Sequence, residues 1–349
     1  MKNKVILASL LILTLTAISS FTCGFTFFKK ADKQIQKTTI ENSTDKKQDV
    51  WCITFQLVLN EFMDKLNNGK PIVFVGGNTP LVDELNKKEY SKELLSEKDY
   101  YLVNAQISKK LKKQIEKDIK KKFNEKSDIL KFVDWNAKNS YLFYSMLKKD
   151  FKFATPFDKL KSARFNNSEK QVKYFGIDKN SDKKLYKNVE VISYKGENEY
   201  AVKLYTKENE EVILYRTDRQ DSLDELYSWV YRTKERANYY NENDTLTIPN
   251  LNVDKLISYN ELCGKKIENS NYVISQALQT IKFKLDNEGG KLKSEAVMTV
   301  MKTSLMPDYI EKRNFSFNKP FALFLKETGK DKPYYAMYIN DTKYLEIED

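Results

Sequence analysis

No histidine occurs in the 349 residues, and this sets what chemistry the side chains can do. Ser-His-Asp and Cys-His nucleophiles, imidazole metal sites and a histidine pH switch are excluded. An enzyme here would run on carboxylates, lysine or tyrosine, and the acidic residues are scattered among lysines without a paired constellation. Asp178-Lys-Asn-Ser-Asp182 alternates oxygen ligands as a calcium loop does. Its sixth position is Lys183 rather than glycine, and Val189 stands at the twelfth where a bidentate glutamate belongs, so it reads as a polar turn. Gly76-Gly77 closes a short apolar run, Pro71–Val75, but neither a phosphate-binding lysine nor dinucleotide spacing comes after it. No catalytic residue, metal site or cofactor is expected.

One segment is instead suited to another protein's chemistry. Residues 286–307, from Asp-Asn-Glu-Gly-Gly to Ser-Leu-Met-Pro, are small-sided, polar and glycine-hinged at Gly289 and Gly290. They lie between Ile281-Lys-Phe-Lys-Leu285, which alternates with the period of a half-buried strand, and the aromatic block Phe315–Leu325. A connection of this length between strands is commonly functional or disordered. Read locally, it is a presented, protease-sensitive loop; a hairpin excursion or one more strand remains the alternative.

The succession of motifs around that loop resembles the serpins. Asn287-Glu-Gly-Gly290, Ala296-Val297 and then Phe317-Asn-Lys-Pro-Phe321 are similar to the family's acidic-glycine hinge, reactive-centre loop and subsequent Pro-Phe strand. Upstream, Tyr141–Leu147 and Phe151-Lys-Phe-Ala-Thr-Pro-Phe-Asp158 resemble its central strand and Pro-Phe-Asp turn. Val189–Tyr194 with Tyr200–Tyr205 resembles the next sheet pair, and Leu246-Thr-Ile-Pro-Asn250 a proline-ended strand. The likeness spans about residues 110–349. Phe153 stands for the family's turn tryptophan and Ser145 for its strand asparagine, and the segment before residue 110 is shorter than the family's helical N-terminal region.

The resemblance implies a mixed α/β (α+β) serpin-like domain with a large central sheet, smaller sheets and surrounding helices. It implies inhibition of an extracellular serine or cysteine protease through an exposed loop, 288–314, which inserts as a new strand after cleavage. The hinge would be Glu288, Gly289, Gly290, Lys291, Lys293, Glu295 and Ala296. Family spacing puts the scissile bond within Lys302, Thr303, Ser304 and Leu305. By the same alignment Lys291, Lys293 and Glu295 share the face that turns inward. An unpaired buried charge costs several kcal/mol, so the rival expectation is a non-inhibitory surface binding protein whose charged hinge prevents insertion. A shifted register would turn those charges outward.

Several elements must position this loop. A first helix is expected from Trp51 to about Asn67, and a short buried strand over Pro71–Val75. Leu111, Ile115, Ile119 and Phe123 give residues 109–123 one apolar stripe and a lysine-rich back. That helix, Lys109 to Lys122, could face an anionic surface or simply present solvated lysines; by resemblance it lies across the main sheet. Tyr186, Tyr194, Tyr200, Tyr205 and Tyr215 alternate with polar residues as in strands. Residues 221–240 are helical in period, with Ser222 as cap.

The net charge of +11 is carried almost wholly by lysine, with six arginines, so no nucleic-acid partner is expected. Residues 1–28 read as a signal peptide or N-terminal membrane anchor: Lys2 and Lys4 precede an apolar run that continues to Phe28. Cys23, with glycine next to it, is a candidate lipidation site. Residues 29–49 form a polar tether, and 50–349 the folded domain. Each reading of the N-terminus exports the domain, secreted or anchored at the cell surface. Cys52 and Cys263 could pair, although the sequence fixes no distance.

Overall fold

The structure, a computed structural model, describes residues 40–42, 48–232, 239–293 and 312–348. Contacts divide the chain into a unit ending at Ile40 and a unit Glu41–Asp349, and the architecture is that of the second. The proposed signal peptide, Cys23 and most of the tether lie outside the described residues, as do Glu295, Ala296, Lys302, Thr303, Ser304 and Leu305.

After a short strand β1 (Ile40–Asn42), β2 (Val50–Cys52) leads into helix α1 (Thr54–Leu66). The expected helix begins three residues late because Trp51 and its neighbours pair with the C-terminal strand β17 (Tyr335–Ile339). Helix α1 buries Phe55, Leu57, Leu59, Phe62 and Met63. Within Pro71–Val75 the structure has a single bridge, Phe74 to Ile267, instead of a full strand. Ile72 and Phe74 point into the core while Val73 and Val75 face solvent. Asn78 and Asn86 side chains satisfy the backbone of Ile72 and Phe74 there.

Past α2 (Pro80–Asn86) and β3 (Tyr100–Gln106), helix α3 (Lys109–Phe123) forms over the residues expected. The Ser108 hydroxyl accepts from the Leu111 amide at 3.1 Å, and Asn124 ends the helix in the left-handed region. Ile115, Ile119 and Phe123 pack on Tyr144 and Met146 of β4 (Tyr141–Leu147), which pairs with β3.

The chain continues into β5 (Lys149–Lys152), β6 (Asp158–Arg164), β7 (Gln171–Ile177), β8 (Val189–Tyr194), β9 (Tyr200–Tyr205) and β10 (Glu210–Arg216). Tyr186 falls in a 3₁₀ segment, Lys183–Asn188, rather than a strand. Asp178 closes a turn through Ser181 and Asn180, as its polar spacing suggests. Helix α4 (Leu223–Arg232) is capped by Ser222, whose hydroxyl accepts from the Glu225 amide at 3.3 Å. The last strands are β11 (Thr245–Pro249), β12 (Leu251–Ser258), β13 (Leu278–Leu285), β14 (Gly289–Lys293), β15 (Asn314–Ser316), β16 (Phe321–Glu327) and β17.

The result is a mixed α+β architecture of several sheets with few helices. One six-stranded sheet runs β2-β17-β16-β10-β9-β8, and a four-stranded one runs β15-β11-β7-β6. In a third, β12, β13, β14 and β5 lie side by side in that order. A single apolar cluster joins the inner faces of the three sheets to α1. Among the described residues no helix is long and apolar enough to cross a membrane. Among the described residues, Cys52 and Cys263 do not form a disulfide.

Candidate functional site

The expected hinge begins as a tight turn fastened to the aromatic turn after β5. The Asp286 carboxylate accepts from the Glu288 amide at 2.9 Å, and the Asp286 amide donates to the Gly289 carbonyl at 3.0 Å. Phe153 and Phe157 donate their amides to the carbonyls of Glu288 and Asn287, at 2.9 and 2.8 Å. Phe153 packs edge-on against Phe157, with ring centroids 4.8 Å apart. Phe153 is wholly buried there, in the position where the family resemblance expects tryptophan.

Two glycines then pass close against β5, the first against its backbone and the second against a side-chain ring. A Cβ on Gly289 would lie 2.2 Å from the Phe151 carbonyl oxygen, and one on Gly290 would lie 2.3 Å from the Phe151 ring. Only glycine lets the backbone approach β5 this closely.

From Gly289 to Lys293 the chain is a strand, where the sequence pattern suggests a loop. This strand, β14, is held antiparallel to β13 on one side and to β5 on the other. Gly290 pairs with Leu285 and Phe151, and Leu292 with Phe283 and Lys149. Successive strand residues point to opposite faces, and burial identifies each face. Leu292 is fully buried in the main core, Lys291 is exposed, and Lys293 lies partly exposed on the outer side. In β14, Lys291 and Lys293 therefore stand on the outward parity, not on the inward one that the resemblance implies. No lysine of the described hinge is buried, so the charge penalty expected there does not arise.

Beyond Lys293 the two neighbouring strands continue with unpaired inner edges. Residues 278–281 of β13 and 141–147 of β4 have no partner on their facing sides among the described residues. Between them lies a cavity of about 130 Å³. Its floor is Thr54, Phe55 and Val58 of α1, and Ser127–Leu130 with Val133 cover it. At its base the Ser145 hydroxyl donates to the Thr54 carbonyl at 2.9 Å, while the Gln279 amide reaches the Thr54 hydroxyl at 2.8 Å and the Cys52 carbonyl at 2.9 Å.

Lys149 faces the core, and sequence reasoning misses it as a site residue. Its ammonium pairs with Glu210, lies 3.3 Å from Asp99 and 3.9 Å from Glu327. Tyr334 donates to the second oxygen of Glu210 at 2.6 Å. One cation thus faces three carboxylates in a nearly dry site. Burial pushes the Glu210 carboxyl up to about 7, only partly offset by Lys149. Burial likewise pushes Glu327 up to about 8, with Lys149 opposing and Glu210 adding to the rise. A signal is legible: Lys149 occupies the inward parity set by Phe143, Ser145, Leu147, Phe151 and Phe153.

On the solvent side, Lys109, Lys110, Lys113 and Lys117 share a stripe of α3 with Gln114. After the stretch that carries the expected scissile bond, the chain is re-anchored at Arg313. Its guanidinium meets Asp244 at 2.7 and 3.2 Å, both side chains buried, and β15 then runs parallel to β11.

No protein-family model matches the chain, and no curated protein matches its sequence. Among solved structures it is similar to Serpin48, a highly specific serpin of the insect Tenebrio molitor. That match has 13% identity and a TM-score of 0.47, covering 85% of this chain and 92% of that one. Human thyroxine-binding globulin in complex with thyroxine matches at 11% identity and a TM-score of 0.44, over 90% and 95% of the two chains. A second thyroxine-binding globulin complex matches at 13% and 0.45, over 85% and 93%.

Proposed function

We propose that this chain is an exported, serpin-like inhibitor of a serine or cysteine protease, acting through the loop 288–314. The observation that carries this reading is the seat of β14 between β13 and β5, with Leu292 inward and the lysines outward. Carried on in the same register, Ser294 would stand between Ile281 and Leu147, and Ala296 between Gln279 and Ser145. Met298 would come next, opposite Phe143, and Val300 opposite Tyr141. The inward parity is then Ser, Ala, Met and Val, all uncharged, whereas Glu295 falls on the outward side with Val297 and Thr299. Cleavage within Lys302–Leu305 would free this segment to occupy the cavity edges and pair both of them. Completing a sheet removes unpaired backbone groups from a half-buried site, which is a source of driving force.

Thermal unfolding of the chain before and after nicking confined to 296–312 tests this. A rise of roughly 10 °C or more is expected, at ~2–4 °C per kcal/mol. Ala296→Glu should abolish the rise and Val297→Glu should preserve it, since only the first places a charge inward. A nicked chain with unchanged unfolding would leave a binding role on the same fold.

A further inference from the structure

Lys293, the last described residue of β14, carries more ionic contacts than any strand-end lysine needs for solubility. Its ammonium lies 3.1 Å from Glu125 and 3.4 Å from Asp128, and donates to the Lys126 carbonyl at 2.9 Å. All three belong to the segment that leaves α3 and covers the cavity. The same two carboxylates reach the strands on either side. Asp128 also pairs with Lys282 of β13 at 3.2 Å. Glu125 also pairs at 3.4 Å with Lys148, at the β4–β5 junction, which itself meets Asp150 at 3.1 Å. The covering segment therefore ties β13 and β14 on one flank to β4–β5 on the other.

We propose that Lys293, with Glu125 and Asp128, is a positioning element that fastens the covering segment across both flanks and so holds β14 at its present length in the uncleaved chain. This rests on the insertion reading of the loop. Lengthening β14 past Lys293 requires Ser127–Leu130 to lift and the β4 and β13 edges to part, and both movements stretch these pairs. A network shared among several charges holds better than an isolated surface pair. Its members are also exposed enough to be screened by salt: the Lys293, Glu125 and Asp128 side chains are 22%, 31% and 34% exposed. Burial pushes the Asp128 carboxyl up, but Lys293 and Lys282 outweigh it and hold it below the usual carboxylate range. For Glu125, burial is likewise outweighed by Lys293 and Lys148.

The test uses the intact full chain. It is warmed at a fixed sub-denaturing temperature in low or ~1 M sodium chloride, and the fraction whose loop resists a broad-specificity serine protease is monitored with time. For wild type, conversion to the resistant form should be slow and should quicken with salt. Glu125→Gln with Asp128→Asn should convert about tenfold faster at low salt and lose the salt response. Lys293→Gln should behave likewise, and Lys293→Arg should keep the slow, salt-sensitive course, which a loss of general stability would not discriminate. Urea midpoints confirm that each variant is folded.

Equal rates and equal salt responses in wild type and the double variant, including no conversion in either, would overturn the proposal. If nicked wild type gains thermal stability while those rates stay equal, the fastening role alone fails. If nicked wild type gains none, the insertion reading fails with it.

Discussion

Leu292 and Lys149 stand directly opposite each other across β14 and β5, and both point into the core. The first strand residue past the glycine hinge to bury an apolar side chain is thus next to the most enclosed ammonium of the described molecule. Any change in the charge state around Lys149 is felt at the place where the loop joins the sheet.

The pH dependence of stability should reflect this. Glu210 and Glu327 have carboxyls raised by burial to about 7 and about 8. A raised carboxyl binds its proton more tightly folded than unfolded, so its contribution is complete below the ordinary carboxylate range and is lost as pH rises through the folded value. Urea unfolding should show lower stability at pH 8.5 than at pH 5.5, by on the order of 2 kcal/mol. Glu125 and Asp128, held low, are ionised throughout that window and contribute no slope. Glu210→Gln should lessen the dependence and leave the share of Glu327; an unchanged slope in that variant would remove Glu210 as a source.

Removing the cation should be worse than any change of pH. Lys149→Ala leaves the buried Glu210 and Glu327 carboxyls, with Asp99 beside them, around a void, and breaking a buried pair costs about 3–5 kcal/mol. The urea midpoint should fall accordingly, and most of the loss should be recovered at pH 5.5, where Glu210 and Glu327 take up protons.

Gly289→Ala should expel β14 from β5. The new methyl would meet the Phe151 carbonyl oxygen and the Lys152 Cα, at 2.2 and 2.7 Å, and backbone atoms cannot swing aside. A cost of ~1–3 kcal/mol is expected. Hydrogen exchange should accelerate at the amides of 289–293 while those of β10 and β16 stay protected.

The far anchor of the loop is testable separately. Asp244→Ala would leave the Arg313 guanidinium buried without its carboxylate, for a loss of about 3–5 kcal/mol. Proteolysis should then shift toward residues 312–316 as β15 comes away from β11.

Much of this architecture is written in periodicity. The stripe Leu111, Ile115, Ile119, Phe123 defines α3 from the residues alone, β13 lies where alternation puts it, and β8, β9 and β11 lie where the resemblance puts them. The start of α1 escapes the pattern because Trp51 and Cys52 are apolar in a way that suits a helix face and an edge strand equally. The choice is made by β17, nearly three hundred residues away. β14 escapes it for a different reason. Alternating lysine and leucine after two glycines leaves a loop and one more strand both open, and only the two flanking strands decide between them. The register of Lys293, and hence its meeting with Glu125 and Asp128, depends on one residue of glycine backbone, which no side-chain pattern reports. Lys149 is detectable as a charge at inward parity, but its three acids come from elements far apart in the chain.

The turn at 286–289 gives the loop a beginning that is already made. Its carbonyls are held by the amides of Phe153 and Phe157, and the rings beneath it pack against Phe175 as well. For the proposed insertion, in the terms of a helix–coil or zipper equilibrium, nucleation is complete and only propagation remains. Each further residue pairs beside one already paired and shortens the remaining loop by one, and closure entropy changes only with the logarithm of loop length. An insertion of extra residues in the outer part of the loop should therefore change the speed of strand growth far less than a single methyl group added at its root.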